Sequence, residues 1–548
     1  MQRGLMTQVD NLGTGYVSLR VKSHTRFCNR RSFLPAAFCR ERERVPVKNS
    51  SPELSLFVGI LLTVCTLGCG TSGGTPEASV SASSHPLVAQ YSVLEFGPAN
   101  VWVEFGTDTN YGRQTAAVTT SGVNMLNSPQ IWVGGMKAST TYHMRAHVDY
   151  AGGGGSWVDQ DRTFTTGALP ASLKAPGITV TRPTPSLSPA PGVELFSLIE
   201  SPQTNMLETL VTDLQGNIIW YYPPGGAFPI KPMQNGHFIL NISSGLREID
   251  LAGDTIRNIS LAQVNQSLQM KGYPFSLTIF SHDVLVLPNG HWIGLASTNK
   301  NFTDLPGYPG ITTVVGDALV DIDLSGNVVW AWSAFDYLDV NRHLQGLPDW
   351  THGNALVYTA DGNLLLSMRN QSWVLKIDYA NGAGPGDVQW RLGENGDFAL
   401  LGGDPSEWFY AQHYPNILSA NGSQMTLAVW DDGDQRVDSE GVACGTTSTS
   451  PPCYSRATIF QVDENARVAG LAWQDLPGFY CFWGGSIGTL SNGNVEFDVT
   501  TTNGATASQI MEVTDTDNPQ TVWQLNITGE NAYRGYRIPS LYPGVTWK

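Results

Sequence analysis

Three histidines of this chain sit at matched places. His282 lies in FSHDVLVLPNGHW, His352 in DWTHGNALVYTADGN and His413 in FYAQHYPNILSANG. Each stands a few residues ahead of the first strand expected of a hairpin that turns at Asn-Gly or Asp-Gly. If those hairpins are equivalent units of a repeat, three imidazoles from three successive units point at one space. A lone histidine is more often a structural residue, and it is the periodic placement that raises these three above that reading. Arg369 closes the hairpin that follows His352, and Asn354 lies two residues beyond that histidine. Three imidazoles with a carboxylate such as Asp283 could hold zinc or iron. A guanidinium in the same space disfavours a cation and matches the oxygens of phosphate or sulfate. The residue set therefore points to a tetrahedral oxyanion, with no metal and no cofactor. His237, His291 and His343 lack the placement and are read as structural.

Holding such residues together takes a repeat, and one runs from about residue 193 onward. Its first unit is strand, Asn-Gly or Asp-Gly, strand: PMQNGHFIL (232–240), VLPNGHWIGLA (286–296), YTADGNLLLSM (358–368), ILSANGSQMTLAV (417–429) and TLSNGNVEFDV (489–499). A type I′ turn with positive φ at both central residues is the expected connection. The second unit is a strand ending near Asp, a polar turn and a strand often ending in Trp. It appears at 210–220, 246–256, 319–330, 374–390, 459–473 and 510–523. Two hairpins make one four-stranded blade, so the expected fold is all-β, a six-bladed β-propeller over 193–548. The two ends of that region supply the missing hairpin and close the ring, and loops from several blades converge on a central channel.

Ahead of it, VWVEFG, QIWVGG, TTYHMRAHVDY and RTFTTG alternate at strand period, which predicts a small fibronectin-like β-sandwich over 85–168. A Pro-rich linker (169–192) follows it and a flexible tether (70–84) precedes it. Composition agrees: charged residues are 14%, against about 25% in typical soluble domains, while Gly 58, Pro 32 and Trp 16 suit many short hairpins.

The only long apolar run, LSLFVGILLTVCTLG (54–68), is short for a membrane span and follows Arg40, Arg42, Arg44 and Lys48. With the small residues after it, the run reads as a secretory signal. Leu67-Gly68-Cys69 resembles a lipoprotein box, so residues 1–69 are an upstream segment plus signal, and Cys69 is the expected lipidation site. Export follows, to the periplasm or to an outer-membrane anchor, with the membrane reached through the lipid alone. An oxidising compartment permits disulfides, and Cys444 and Cys453 flank a turn-rich loop that can bring them together; Cys481 is left over. Residues 1–50 hold ten Lys and Arg against three Asp and Glu, so the rest is more acidic than the chain's net −16. An acidic body lacks the basic footprint that nucleic acid requires.

The run from Asp349 to Pro415 carries DWTHGNALVY, LLLSMRNQSWVLKIDY, VQWRLGENGDF and FYAQHYP. It resembles the bacterial arylsulfate sulfotransferase family, as do FSHDVLVLPNG and the tail ENAYRGYRIPSLYP. The resemblance covers most of 190–548. It implies a six-bladed propeller with a sandwich-like N-terminal domain. The activity it implies moves a sulfuryl group from a phenolic sulfate ester to a phenol, without a nucleotide donor. His413 matches the family's transient sulfohistidine, His282, His352 and Arg369 its sulfate ligands, and Asn354 a polar neighbour. A homodimer is compatible with this. Tyr414 stands where many relatives have a small or acidic residue, which bears on the acceptor pocket. Trp408, Phe409 and Tyr410 are either aryl-stacking groups or blade packing. The long loop 431–456 is a candidate lid. Competing readings are a noncatalytic lipid-anchored binding propeller, a metal-dependent propeller hydrolase or lyase, and a quinoprotein dehydrogenase.

Overall fold

The computed structural model describes residues 75–121, 127–199, 205, 207–223, 228–437, 441–444 and 453–548. The leader, the signal and Cys69 lie outside the described residues. The protein is all-β, 50% strand and 6% helix, with many antiparallel sheets.

Every hairpin expected from the repeat forms. Each first-unit hairpin joins the second-unit hairpin that follows it in one antiparallel meander, as in 277–333, 353–392 and 413–475. The strand Asn531–Ile538 completes the sheet begun by Val193–Ile199, pairing Val193 with Ile538 and Leu195 with Tyr536. The late end of the region thus supplies the inner strand of its first sheet.

The turns differ from the type I′ expectation. Gly236, Gly290, Gly362 and Gly493 have φ of 84°, 84°, 80° and 88°, but the Asn or Asp before each does not have positive φ. Gly290 donates to the Leu287 carbonyl at 2.9 Å, and Leu287 donates to the His291 carbonyl at 2.8 Å. This is a type I turn followed by a left-handed glycine bulge. At this hairpin Pro288 favours the geometry, since its ring fixes a negative φ at the first central position; Gln234, Ala360 and Ser491 stand there in the other three. The Asn289 side chain accepts from the His291 amide at 3.0 Å, so the Asn caps the turn rather than bending it.

Alternation along each strand buries apolar residues on both sheet faces, and the cores lie between successive sheets. Ile239 and Leu246 of one sheet pack with Phe280 and Val320 of the next. Leu295 and Trp332 pack with Leu366 and Leu375, and Val374 and Trp390 with Leu427 and Phe460. Trp430 packs with Phe497. The circuit closes where Ile510 and Trp523 meet Phe196 and Leu210. The tryptophans that end second-unit strands add a directional clasp. The indole N–H of Trp220 donates to the Leu251 carbonyl at 2.8 Å, Trp330 to Gly384 at 3.0 Å, Trp473 to Thr516 at 3.1 Å and Trp523 to Leu214 at 2.9 Å. Each bond crosses to the neighbouring sheet, and such a bond contributes about 0.5–1.5 kcal/mol.

Two expectations about connecting segments are corrected. Glu77–Ala82, within the expected tether, pairs with Ala89–Leu94. Gly177–Thr181, within the expected linker, pairs with Thr521–Thr528 as a fifth strand. Both are edge strands whose small or polar residues carry little apolar pattern, and their backbone bonds hold them. In the N-terminal region, sheets built on Ala89–Leu94 and on Ala99–Gly106 with Thr141–Tyr150 share one core with Trp220, Phe238 and Trp547. The tail clasps this region: the Tyr542 hydroxyl donates to the Trp132 carbonyl at 2.8 Å and accepts from the Gly134 amide at 2.7 Å.

Candidate functional site

The inner strands Leu277–Val286, Gly353–Tyr358, His413–Asn421 and Ser486–Thr489 neighbour one another in sequence order. Their ladders break where the three histidines stand. Pairing shifts between Phe280 and Val284, between Gly353 and Ala355, and between His413 and Asn416. His282, His352 and Tyr414 take left-handed backbone, with φ of 56°, 48° and 49°. Pro415 has no amide to donate, so the ladder cannot continue through it. Bulges of this kind re-aim a side chain, and positive φ in non-glycine residues is a strain kept where surrounding bonds over-determine it.

These breaks bring the predicted residues together. The His282 and His352 rings lie 4.7 Å apart, and the Tyr533 ring stands 5.9 Å from His282 and 5.7 Å from His413. His413 is 1% exposed. Its Nδ1 meets Asp432 Oδ2 at 2.9 Å, and its Nε2 accepts from the Gly484 amide at 3.3 Å. That pair of contacts assigns the proton to Nδ1 and leaves Nε2 unprotonated, its lone pair turned to the Gly484 amide. Burial, then the charge of Arg369 and the flanking His352, His282 and Arg534, hold His413 well below the ordinary histidine range. Burial also pushes the Asp432 carboxyl up, opposed by Arg369. With Nδ1–H donating to it, Asp432 Oδ2 is the acceptor of the pair.

Arg369 is anchored on one side. Its guanidinium donates to Asp434, to the Phe482 carbonyl at 2.8 Å and to Asn370 at 2.9 Å, with Asp432 3.7 Å from Nε. Asp434 in turn accepts from the Tyr480 hydroxyl. Asn354 is fully buried, and its amide donates to the Gln412 carbonyl at 2.7 Å. His282 Nδ1, Asn354 Oδ1, the Tyr533 hydroxyl and Arg534 Nε have no hydrogen-bond partner among the described residues. Buried groups of this kind cost about 1–3 kcal/mol each unless a ligand meets them. Burial holds His282 well below its ordinary range, so it too is neutral.

Behind these side chains, buried carboxylates tie the strands. Asp283 accepts from the Leu356 amide at 2.8 Å and pairs with Lys231, and Arg534 stands 3.6 Å away. It is therefore engaged by two cations and unsuited to the metal-ligand role considered from sequence. Among the described residues no group of three or more His, Cys, Asp and Glu is arranged to hold a metal ion. Asp317 accepts from the Thr351 hydroxyl at 2.6 Å and from the Gly353 amide, which brackets His352; burial pushes its carboxyl up to about 6.

Other sequence readings resolve here. Trp408, Phe409 and Tyr410 are buried in the core with Phe460, which is blade packing rather than a stacking platform. Tyr414 lies under the Arg534 guanidinium at 4.8 Å. Cys444 and Cys453 form a disulfide with Cα atoms 4.9 Å apart, packed on Tyr480. The candidate lid 431–456 begins as a wall of the site, because Asp431, Asp432, Asp434 and Arg436 are all buried. His237 and His291 pair with Glu248 and Asp321, and His343 with the carbonyls of Val340 and Pro306.

Sequence reasoning missed Asp432, Asp434, Lys231, Tyr533 and Arg534. A signal for Asp432 existed, because WDDGD closes the His413 hairpin at the place where Arg369 closes the preceding one.

A buried imidazole on an aspartate, with two more imidazoles and a guanidinium beside it, is a donor set suited to a tetrahedral oxyanion. Comparison with known families gives the particular one: the arylsulfotransferase (ASST) family model matches residues 186–537, and the chain belongs to that family. Aryl sulfotransferase activity, with a phenolic sulfate donor and a phenol acceptor, is the chemistry that membership implies. Among curated proteins nothing matches the chain. A Bacteroides caccae protein of unknown function is similar in structure at 13% identity and TM-score 0.39, covering 63% of this chain and 98% of its own. Virginiamycin B lyase from Staphylococcus aureus is similar at 11% identity and TM-score 0.27, covering 64% of this chain and 99% of its own. At those scores neither likeness bears on function.

Proposed function

We propose that this protein moves a sulfuryl group from a phenolic sulfate ester to a phenol by a ping-pong mechanism through a sulfohistidine at His413, with no nucleotide donor. The observation that carries the reading is the placement of that imidazole: buried, with Nδ1 on Asp432 and Nε2 accepting only a long bond from the Gly484 amide, where burial holds it well below the ordinary histidine range. Nε2 attacks sulfur, the S–O bond to the aryl group breaks, and the phenolic oxygen leaves with the electron pair. The ring then carries positive charge, which Asp432 offsets, as the carboxylate does in a Ser-His-Asp triad. A second phenol attacks the same sulfur and returns the electron pair to Nε2, giving two half-reactions. Sulfuryl transfer resembles phosphoryl transfer, so positioning of the peripheral oxygens dominates. Arg369, His282, His352 and Asn354 bind the sulfate ester in this reading.

The same reading takes the meander sheets as six blades of one propeller, closed by Asn531–Ile538, and the N-terminal sheets as a β-sandwich. It places the protein outside the cytoplasm, periplasmic or anchored to the outer membrane through a lipid on Cys69; palmitate labelling lost in Cys69→Ala tests that part. For the chemistry, wild type and His413→Ala are given 4-nitrophenyl sulfate and phenol, with a chelator in parallel. Nitrophenol release that depends on the acceptor, survives chelation and disappears in the variant supports the mechanism. Release in His413→Ala at the wild-type rate would falsify it, and loss on chelation favours a metal-dependent enzyme.

A further inference from the structure

The sulfohistidine route leaves one proton unassigned. A phenolate leaving group needs a proton as the S–O bond breaks, and the acceptor phenol must give one up. His413 is committed as nucleophile, and the same burial that keeps His282 neutral makes it a poor acid. His352 differs from both. Its side chain keeps 27% exposure, and its Nδ1 is 2.5 Å from the Asp349 carboxylate, which is itself 50% exposed. Its ring is 4.7 Å from that of His282.

The pairing is built rather than incidental. His352 has left-handed backbone, and Asp317 holds both of its neighbours through the Thr351 hydroxyl and the Gly353 amide. The Arg369 amide donates to the His352 carbonyl at 3.2 Å. Asp349 is fixed through its own carbonyl, which accepts from the Asn370 amide side chain at 2.7 Å, and by a bridge to Val315. Nδ1 on a carboxylate fixes the tautomer and leaves Nε2 to exchange a proton, while the exposure of both partners gives that proton a way to solvent.

We infer that His352 is the catalytic acid–base for the bridging phenolic oxygen and that Asp349 is its positioning residue. The inference rests on the sulfuryl-transfer reading. In the first half-reaction His352 Nε2–H protonates the departing oxygen, leaving a neutral imidazole on Asp349. In the second, the acceptor phenol gives its proton to that Nε2 as its oxygen bonds to sulfur and the N–S bond breaks. Protons and electron pairs balance over the cycle, and no further reactant is needed.

The test is leaving-group dependence in single-turnover release by Asp349→Asn and wild type. Nitrophenolate leaves without protonation and phenolate does not. The expected result is a loss of about 10²-fold with phenyl sulfate, the low end for general acid–base catalysis, and of only a few fold with 4-nitrophenyl sulfate. An unchanged melting temperature is also expected, since the substituted side chain is exposed. Equal losses with both donors overturn the inference and make Asp349 structural, as does no loss with either. A wild type that turns over neither donor overturns the sulfuryl-transfer reading, and this inference with it.

Discussion

The two ends of each first-unit hairpin obey different rules. At the Asn-Gly end the turn closes on its own atoms: glycine carries the positive φ, the Asn side chain caps the next amide, and the bonds are local. At the other end of three of them His282, His352 and Tyr414 carry the positive φ, the ladder slips, and side-chain partners come from the ends of the same sheet and from its neighbours. Asp432, Asp283 and Asp317 sit there, with polar atoms that the protein itself does not satisfy. The turn end satisfies its own polar atoms and the histidine end does not, and departures from local rules of that kind are expected at functional sites.

Substitutions at the histidine end should break chemistry before stability. His413→Ala is expected to remove transfer by about 10⁴-fold or more, the scale on which nucleophile deletions fall, read as nitrophenol release. Asp432→Asn keeps the shape but loses the carboxylate that fixes the tautomer, and a fall in kcat of about 10²–10⁴-fold is expected by analogy with the triad carboxylate; wild-type kcat in that variant would remove Asp432 from the mechanism. For His282→Ala the expected fall is about 10²–10³-fold, the effect of deleting one oxyanion donor, with thermal unfolding little changed. A pH series sharpens the point. Because burial holds His413 well below the ordinary histidine range, its neutral fraction stays near one above that lowered value. Single-turnover release from the nitrophenyl donor should therefore not decline as pH falls from about 8 to about 6, across the unperturbed histidine value. A decline centred near that value would mean an ordinary, solvated imidazole.

The turn end should do the reverse. Gly290→Ala puts a Cβ at φ 84° and 3.2 Å from Leu324, and should cost about 1–2 kcal/mol in a melt, with kcat unchanged.

The same division explains what could be read in advance. The hairpins were legible because their signals are local, and the three histidines because a repeat converts spacing into position. The type of turn was misread because Asn-Gly alone does not specify it: the glycine can stand at the second central position of a type I′ turn or, as here, one place later, as the bulge residue that donates to the carbonyl three residues back. Glu77–Ala82 and Gly177–Thr181 were hidden because an edge strand is held by its neighbour's backbone more than by its own side chains. Asp432 could have been read from register, because it closes the hairpin that His413 opens, 19 residues on. Arg534 was hidden for the opposite reason: it bonds Asn354 across 180 residues, and nothing in the local pattern marks such a pairing.

The strand Asn531–Ile538 has a consequence for the order in which the protein comes into being. It follows the other described strands of the region in sequence, yet it completes the first sheet and brings Tyr533 and Arg534 to the histidines. A chain leaving the ribosome can assemble the earlier sheets, but its first sheet lacks this strand and its pocket lacks both side chains until residues 531–538 have emerged. The histidines acquire their full surroundings only once this strand has docked.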